Sequence, residues 1–259
     1  MQYTLYDLLL AGSLFVGMLV LLEGGRRVGT RQMTRDPAGA NTGLGVIDGA
    51  VFGLLGLIVA FSFSGAASRL DARRQLIIDE TNAIGTAYLR IDLLSPDAQP
   101  ALRDSFRRYL DTRLAVYQKF SDPAAAKAEL AKANMLQGDI WRQAVTASRA
   151  EDAHPDAGKL LLPALNDMID ITTTRTMATQ MHPPAIMFVL LFALAFISAL
   201  LAGYGMAGSK YSRWLHSLCF AAAAAVAVYV ILDLEYPRLG SIRVDAFDQA
   251  LRDLRESMK

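Results

Sequence analysis

The chain has 259 residues, of which 53% are hydrophobic and 20% charged, and its formal net charge is +1 at pH 7. A mean hydropathy of +0.27 is too apolar for an ordinary soluble domain, and the near-neutral charge gives no reason to expect nucleic acid or another polyanion as a partner. The single cysteine, Cys219, excludes an intramolecular disulfide bond.

Four long apolar stretches dominate the sequence and predict an integral membrane protein. They cover residues 4–22, 45–65, 184–206 and 212–234. Each reaches the roughly 20 residues that an α-helix needs to cross a bilayer. Core helices of a soluble globule are a poor alternative, because almost no amphipathic helix would remain to cover them. The predicted fold class is therefore all-α, with four transmembrane helices as two hairpins and an inserted antiparallel helical bundle.

The first hairpin is predicted over residues 1–65. Its first span begins near the start of the chain without a basic leader, which indicates a retained helix rather than a cleaved signal. The glycine- and arginine-rich residues 23–44 are predicted to form a loop at the membrane surface. The second span is expected to continue as one helix beyond the bilayer, because the apolar heptad spacing persists to position 91 without a breaker.

Residues 66–182 are predicted to form the soluble bundle. Ser95-Pro96 and Asp122-Pro123 each combine an N-cap residue with a proline, so each predicts a helix start. The second hairpin is assigned to residues 183–235. A C-terminal elbow and amphipathic helix then occupy residues 236–259, with the helix beginning near Asp245.

The second span carries a stripe of glycines and bulky apolar residues that has two interpretations. The stripe recurs every four residues through Gly45, Gly49, Gly53, Leu57, Phe61 and Gly65. It predicts either close helix packing or a pore lined by copies of this span, in which Leu57 and Phe61 form apolar rings that gate by dewetting. Ser62 and Ser64 would offer hydroxyl groups to an ion in such a pore. Gly53, one turn before Leu57, would line the same pore.

Charged residues near the membrane are candidates for the pore mouth or for structural ion pairs. They are Asp48, Arg69, Asp233, Glu235 and Arg238. Asp48 lies at or near membrane depth, where an ionisable group faces a partner or water, or else snorkels to the surface. The last three flank a helix-breaking proline, which favours a salt-bridged elbow as the structural alternative.

Nothing in the sequence predicts a catalytic or metal site, and no cofactor is expected. The three histidines, His154, His182 and His216, are scattered and have no partner at metal-ligand spacing. There is no glycine-rich phosphate loop after a strand, no nucleophile elbow and no zinc-protease motif. We therefore expect a protein that is not an enzyme.

The residues LIVAFSFSGAASRLDARRQL, at 57–76, resemble the second-span signature of the bestrophin family. In that family an apolar neck ending in Gly-Phe or Ala-Phe is followed eight residues later by arginine, and Ala60-Phe61 and Arg69 hold those positions. The segments at 79–90 and 233–240 are similar to bacterial bestrophin-like membrane proteins. The order of spans and insert agrees with the family over the whole chain.

The resemblance implies a homopentameric, anion-selective channel with the second span lining the pore and the insert forming a cytoplasmic vestibule. Leu57 and Phe61 match two of the family's three neck positions, whereas the third falls on Gly53. The paired tryptophans that often follow the family's arginine are replaced by Leu70 and Asp71. The acidic run that binds calcium in animal members is absent, so calcium gating is not expected.

The functional prediction is an oligomeric ion channel of the bacterial inner membrane, conducting small anions such as chloride. Its partners are the lipid bilayer, small ions and further copies of the chain, with a homopentamer favoured. The alternative is a membrane-anchored binding or sensory protein whose insert recognises a ligand or partner. Arginines follow the first span and none precedes it, which favours an extracytoplasmic insert; the resemblance favours a cytoplasmic one, and we follow it.

Overall fold

The computed structural model describes residues 2–35, 44–207 and 214–258, and these residues form helices and turns without a strand. The helices are α1 (Gln2–Arg35), α2 (Leu44–Leu89), α3 (Gln99–Gln118), α4 (Pro123–Ala147), α5 (Ala157–Ala178), α6 (Ala185–Gly205), α7 (Trp214–Glu235) and α8 (Gln249–Ser257), with a short 3-10 helix at Arg90–Leu93. α1, α2, α6 and α7 are long and apolar enough to span a membrane. The all-α, four-span fold class is confirmed.

The chain divides into two compact units. The membrane unit comprises Met1–Leu70 and His182–Ile242, and the bundle unit comprises Asp71–Met181 and Arg243–Lys259. The four-part division of the sequence analysis stays a prediction.

In the membrane unit α1 packs against both α6 and α7. Its core consists of Leu14, Met18, Leu22, Leu55, Leu191, Leu194, Ala195, Ala199, Ala221, Val228 and Leu232. Most of these side chains come from α1, α6 and α7, and among the described residues α2 contributes Leu55 alone to the fully buried set. The helix predicted to line a pore is therefore the one least engaged in the core of its own chain.

The predicted loop over residues 23–44 is wrong at least as far as position 35, because α1 continues through Arg35. Residues 36–43 lie outside the described part of the chain. The glycines of this segment are packing sites rather than helix breakers. A Cβ added at Gly25 would lie 2.0 Å from the backbone oxygen of Leu200, and one at Gly29 would lie 2.7 Å from that of Tyr204. Glu23 also pairs with arginines one turn later, which supports the helix.

Gly25 and Gly24 offer a matched test of this packing. We expect Gly25→Ala to destabilise the protein by about 2 kcal/mol, because α1 and α6 must separate to admit the methyl group. Gly24→Ala should be neutral or slightly stabilising, since a Cβ there meets no atom within 4 Å and alanine favours the helix. Thermal unfolding of the purified variants in detergent measures both effects. Equal melting temperatures would contradict the packing.

The bundle unit has a core drawn from the lower half of α2 and from α3, α4, α5 and α8. Its buried side chains include Ile84, Ile91, Leu102, Phe106, Tyr109, Leu110, Ile140, Leu161, Leu165, Met168 and Leu251. The prediction that the second span continues as one long helix is confirmed, since α2 has 46 residues. Asp122 caps α4 as predicted, accepting hydrogen bonds from Ala124 N and Ala125 N at 3.0 and 3.1 Å.

Two predicted helix starts were too early. α3 begins at Gln99 rather than at Pro96, because Ser95 opens a turn in which its carbonyl accepts from Ala98 N at 3.0 Å. The C-terminal helix begins at Gln249 rather than at Asp245. It packs on α3, where Arg255 Nε donates to Asp111 Oδ1 at 2.7 Å. In both places a turn precedes the first regular helical residue.

Candidate functional site

The apolar part of α2 is the least covered of the four spanning segments. Only 6% of its apolar window is buried within the protomer, against 28% for each of the other three. Leu57 is 49% exposed and Phe61 is 63% exposed. Large apolar side chains in such positions require a covering surface, which lipid, another protein chain or a constricted pore can supply.

Among the residues that the structure describes, Gly45, Gly49 and Gly53 of the α2 stripe do not pack against another helix. A Cβ added at Gly45, Gly49 or Gly53 would meet no atom within 4 Å. The glycines that make close helix contacts lie instead on α1 and α6, for example Gly203, whose added Cβ would lie 2.0 Å from the Leu22 oxygen. Within one protomer, the packing interpretation therefore applies to these other glycines and not to the α2 stripe.

The two candidate serines lie on different faces of α2. Ser64 is exposed, and it follows Leu57 by seven residues, which places both on one face of a helix. Ser62 is 9% exposed and lines a small recess together with Arg69 and Glu235. Phe61 also borders this recess. Ser64 is therefore the serine that shares the uncovered face with the candidate gate residues.

Asp48 is half-buried near the start of α2. Its Oδ2 atom lies about 4.0 Å from the position of a Cβ added at Gly205, so the carboxylate is beside the end of α6. In the sequence it lies between the uncovered glycines Gly45 and Gly49. Its role at a pore mouth stays a prediction.

Arg69 and Glu235, which are 166 residues apart, form an ion pair in the membrane unit. Arg69 Nε donates to Glu235 Oε1 at 3.0 Å and to Oε2 at 3.2 Å, and a second guanidinium nitrogen also contacts Oε1. Glu235 is 1% exposed. His182 Nδ1 lies 3.5 Å from Glu235 Oε2, and the His182 ring stacks on Tyr236 with centroids 4.7 Å apart. The pair joins α2 to the end of α7.

The segment after α7 is held by Asp233. Its two carboxylate oxygens accept hydrogen bonds from Ser241 N at 2.6 Å and Ile242 N at 2.7 Å. A Cβ at Gly240 would lie 2.0 Å from Asp233 Oδ1, so only glycine fits there. Arg238 is half-buried in the same turn. The arrangement agrees with the structural alternative of a polar elbow for Asp233 and Glu235.

Replacing Arg69 tests whether it is structural or lines a pore mouth. We expect Arg69→Met to lower the free energy of unfolding by about 2–3 kcal/mol, because the buried Glu235 carboxylate loses its guanidinium partner. Arg26→Met is the control, since the Arg26–Glu23 pair is exposed and should contribute little to stability. Unfolding curves of the two variants measure these differences in stability. A change in the ion preference of Arg69→Met with unchanged stability would instead indicate a pore-mouth role for Arg69.

The bundle unit contains a buried ion network that the sequence analysis missed. Glu80 on α2 accepts from Arg113 Nε on α3 at 2.6 Å, and it also contacts Arg175 on α5. Arg175 Nη2 donates to Asp248 Oδ1 at 3.0 Å. The Arg175 guanidinium lies 3.7 Å from the centroid of the Tyr117 ring. Two arginines and two carboxylates therefore join three helices and the C-terminal segment.

A sequence signal for this network did exist. Glu80 lies three residues after Ile77 and four before Ile84, so it occupies a core position of the predicted apolar stripe. Arg113 is placed similarly, between Leu110 and Tyr117. A charge on the core face of a helix needs a buried partner, although its identity cannot be read from the spacing.

The arginines of the network remain charged. Burial by itself would lower the pKa of Arg175, but the neighbouring Tyr117 and Glu80 outweigh burial and raise this pKa above its usual value. Arg113 shows the same direction of pKa shift.

Among the residues that the structure describes, no group of three or more His, Cys, Asp or Glu side chains is arranged to hold a metal ion.

The chain is similar to a known protein family and to a solved structure. A family model described as a Bestrophin-like domain matches residues 10–246. A crystal structure of a bestrophin homologue from Klebsiella pneumoniae, solved as a point variant, aligns with a TM-score of 0.69 at 14% sequence identity. The alignment covers 93% of this chain and 97% of the homologue. No curated protein sequence matches the chain.

Proposed function

The chain belongs to the bestrophin-like family, and from this premise we propose that it forms an oligomeric membrane channel for small anions. The observation that carries the proposal is the uncovered state of α2, whose apolar window is 6% buried within the protomer. The proposal assigns the pore to copies of α2 arranged around an axis. The proposed function involves no reaction and no cofactor.

The glycine face of α2 supports a neighbouring copy over lipid as its covering surface. Gly45, Gly49 and Gly53 offer peptide backbone rather than apolar side chains, so lipid gains little contact there. A second helix can approach such a face closely. Copies of α2 can therefore pack side by side near a common axis.

Leu57 and Phe61 are proposed to narrow the pore. Both are large, apolar and about half or more exposed in the protomer. A ring of such side chains excludes water when its radius is small, and it then blocks ions without a charged barrier. Ser64, on the same face, would meet an ion beyond the constriction with a hydroxyl group.

Anion selectivity and fivefold assembly rest on the family resemblance of residues 57–76. The apolar constriction itself contains no charge that distinguishes chloride from potassium. We also assign the protein to the bacterial inner membrane with the insert in the cytoplasm, following the resemblance. A reporter fused after Met258 distinguishes the two orientations of the C-terminus.

The decisive experiment combines assembly with conduction. We expect the purified protein to have the mass of five chains, and liposomes that contain it to release chloride faster than protein-free liposomes. In a salt gradient across a planar bilayer, the reversal potential should follow chloride. A monomer without flux would overturn the proposal and favour the binding or sensory alternative. A reversal potential that follows potassium would retain the channel and overturn its anion preference.

A further inference from the structure

The membrane unit contains a cleft that the proposed pore does not use. Its lining includes Tyr6, Asp7, His182, Glu235 and Tyr236, together with apolar side chains of α1 and α6. The cleft has a volume of about 440 Å³. It contains two carboxylates, and no lysine or arginine lines it among the described residues.

Asp7 has an unsatisfied carboxylate oxygen in this cleft. The residue is 2% exposed, and its Oδ2 atom has no hydrogen-bond partner among the residues that the structure describes. Glu235, by contrast, is engaged by Arg69. Burying a carboxylate oxygen without a hydrogen-bond donor costs free energy. A positively charged ligand in the cleft could supply that donor to Asp7.

The cleft lies near the ends of two of the candidate spans. Asp7 is in the second turn of α1, which begins at Gln2, and Glu235 is the last residue of α7. Tyr6 is 61% exposed there, and tyrosine is enriched at the level of lipid headgroups.

The apolar wall of the cleft continues onto the exposed apolar surface of α6. Val189 on α6 lines the cleft and is 60% exposed, and Leu10, Phe188 and Phe192 line it beside Val189. A ligand that occupies the cleft can therefore place an acyl chain along α6 while its polar end reaches Asp7.

We propose that this cleft binds a phospholipid with a primary ammonium headgroup, such as phosphatidylethanolamine. The Asp7 side chain rotates toward the cleft, and the ammonium group donates a hydrogen bond to its carboxylate and lies near the rings of Tyr6 and Tyr236. The phosphate of the lipid remains at the aqueous edge of the cleft, so it needs no basic side chain from the cleft lining to neutralise it. An anionic lipid brings a negative charge next to the Asp7 carboxylate, for which the described lining of the cleft offers no lysine or arginine, and a choline headgroup has no N–H to donate.

The test measures lipid retention by the intact, purified protein. Native mass spectrometry is performed after exchange into equal mixtures of phosphatidylethanolamine, phosphatidylcholine and phosphatidylglycerol with identical acyl chains. We expect phosphatidylethanolamine to be retained about tenfold over each of the others, the factor that corresponds to about 1.4 kcal/mol of charge-assisted hydrogen bonding. Equal retention of the three headgroups would overturn the proposal.

Two variants and one control locate the site. Asp7→Asn should reduce the preference to less than about twofold, since it removes the charge that a hydrogen bond of this strength requires. Val189→Trp should displace the lipid by filling the cleft, and its exposed position makes it tolerable for folding. Glu23→Gln, which changes an exposed acid of α1 about four helical turns after Asp7, should leave the preference unchanged.

The remaining outcomes are also decisive. An unchanged preference in folded Val189→Trp would overturn the assignment, whether or not Asp7→Asn folds. Displacement of the bound lipid by free ethanolamine at millimolar concentration would show that the site takes a soluble amine rather than a lipid. Loss of chloride flux is not a readout here, so the result is independent of the proposed channel.

Discussion

Replacing Phe61 by alanine is expected to raise the rate of chloride release from liposomes about tenfold, which corresponds to a barrier lowered by about 1.4 kcal/mol. The physical reason is that a ring of alanines is wider than a ring of phenylalanines and stays wet. Phe61 is 63% exposed in the protomer, so the substitution removes little packing from the fold. Leu57→Ala should give a smaller increase, because the smaller side chain narrows the passage less.

Phe63 provides a matched control for Phe61. It is an exposed phenylalanine in the same helix, and two residues of helix place it about 200° around the axis from Phe61. Phe63→Ala should therefore leave the rate of chloride release unchanged. Identical rates in the parent and in the Phe61 and Leu57 variants would overturn the constriction. An equal increase in the Phe63 variant would indicate a general effect on the helix rather than a gate.

Replacing Glu80 by glutamine is expected to lower the free energy of unfolding by about 3–5 kcal/mol, the cost of leaving a buried ion network without one partner. Glu80 and Arg113 have fully buried side chains, and Arg175 is nearly so. Glutamine keeps the shape of glutamate but removes the negative charge that two guanidinium groups share. For a chain of this size the melting temperature should fall by about 10 °C.

Asp139→Asn is the control for Glu80→Gln. The Asp139–Arg142 pair is an exposed i,i+3 pair in α4, and such pairs contribute less than about 0.5 kcal/mol. The melting temperatures of detergent-purified variants, with circular dichroism confirming helical content, provide the comparison. Similar melting temperatures for the Glu80 and Asp139 variants would mean that the network contributes no net stability in this protein.

The network also fixes the C-terminal segment to the bundle. Asp248 precedes α8 and pairs with Arg175, while Leu251 of α8 is buried in the bundle core. Leu254 lies 3.4 Å from the position of a Cβ added at Gly85 on α2. The amphipathic sequence of this helix therefore has a defined partner surface, which includes the lower half of α2.

The sequence by itself determined the features that depend on local composition and periodicity. Apolar stretches of about 20 residues predict spans whatever they pack against, and the heptad spacing through Ile84 predicts a continuous α2. The motif around Phe61 and Arg69 was enough to indicate the family. The Asp122 cap of α4 is equally local, because an N-cap is satisfied within its own first turn.

Only the tertiary structure decided which helix faces meet. The sequence places Arg69 and Glu235 on suitable helices, but pairing two residues 166 positions apart depends on how α2 and α7 pack. The glycine-rich composition predicted a loop after residue 22. The helix instead continues there, and the missing side chain of Gly25 lets the backbone of α6 approach closely. Periodicity assigns a residue to a helix face, and the partner of that face is set by long-range packing, which no local pattern contains.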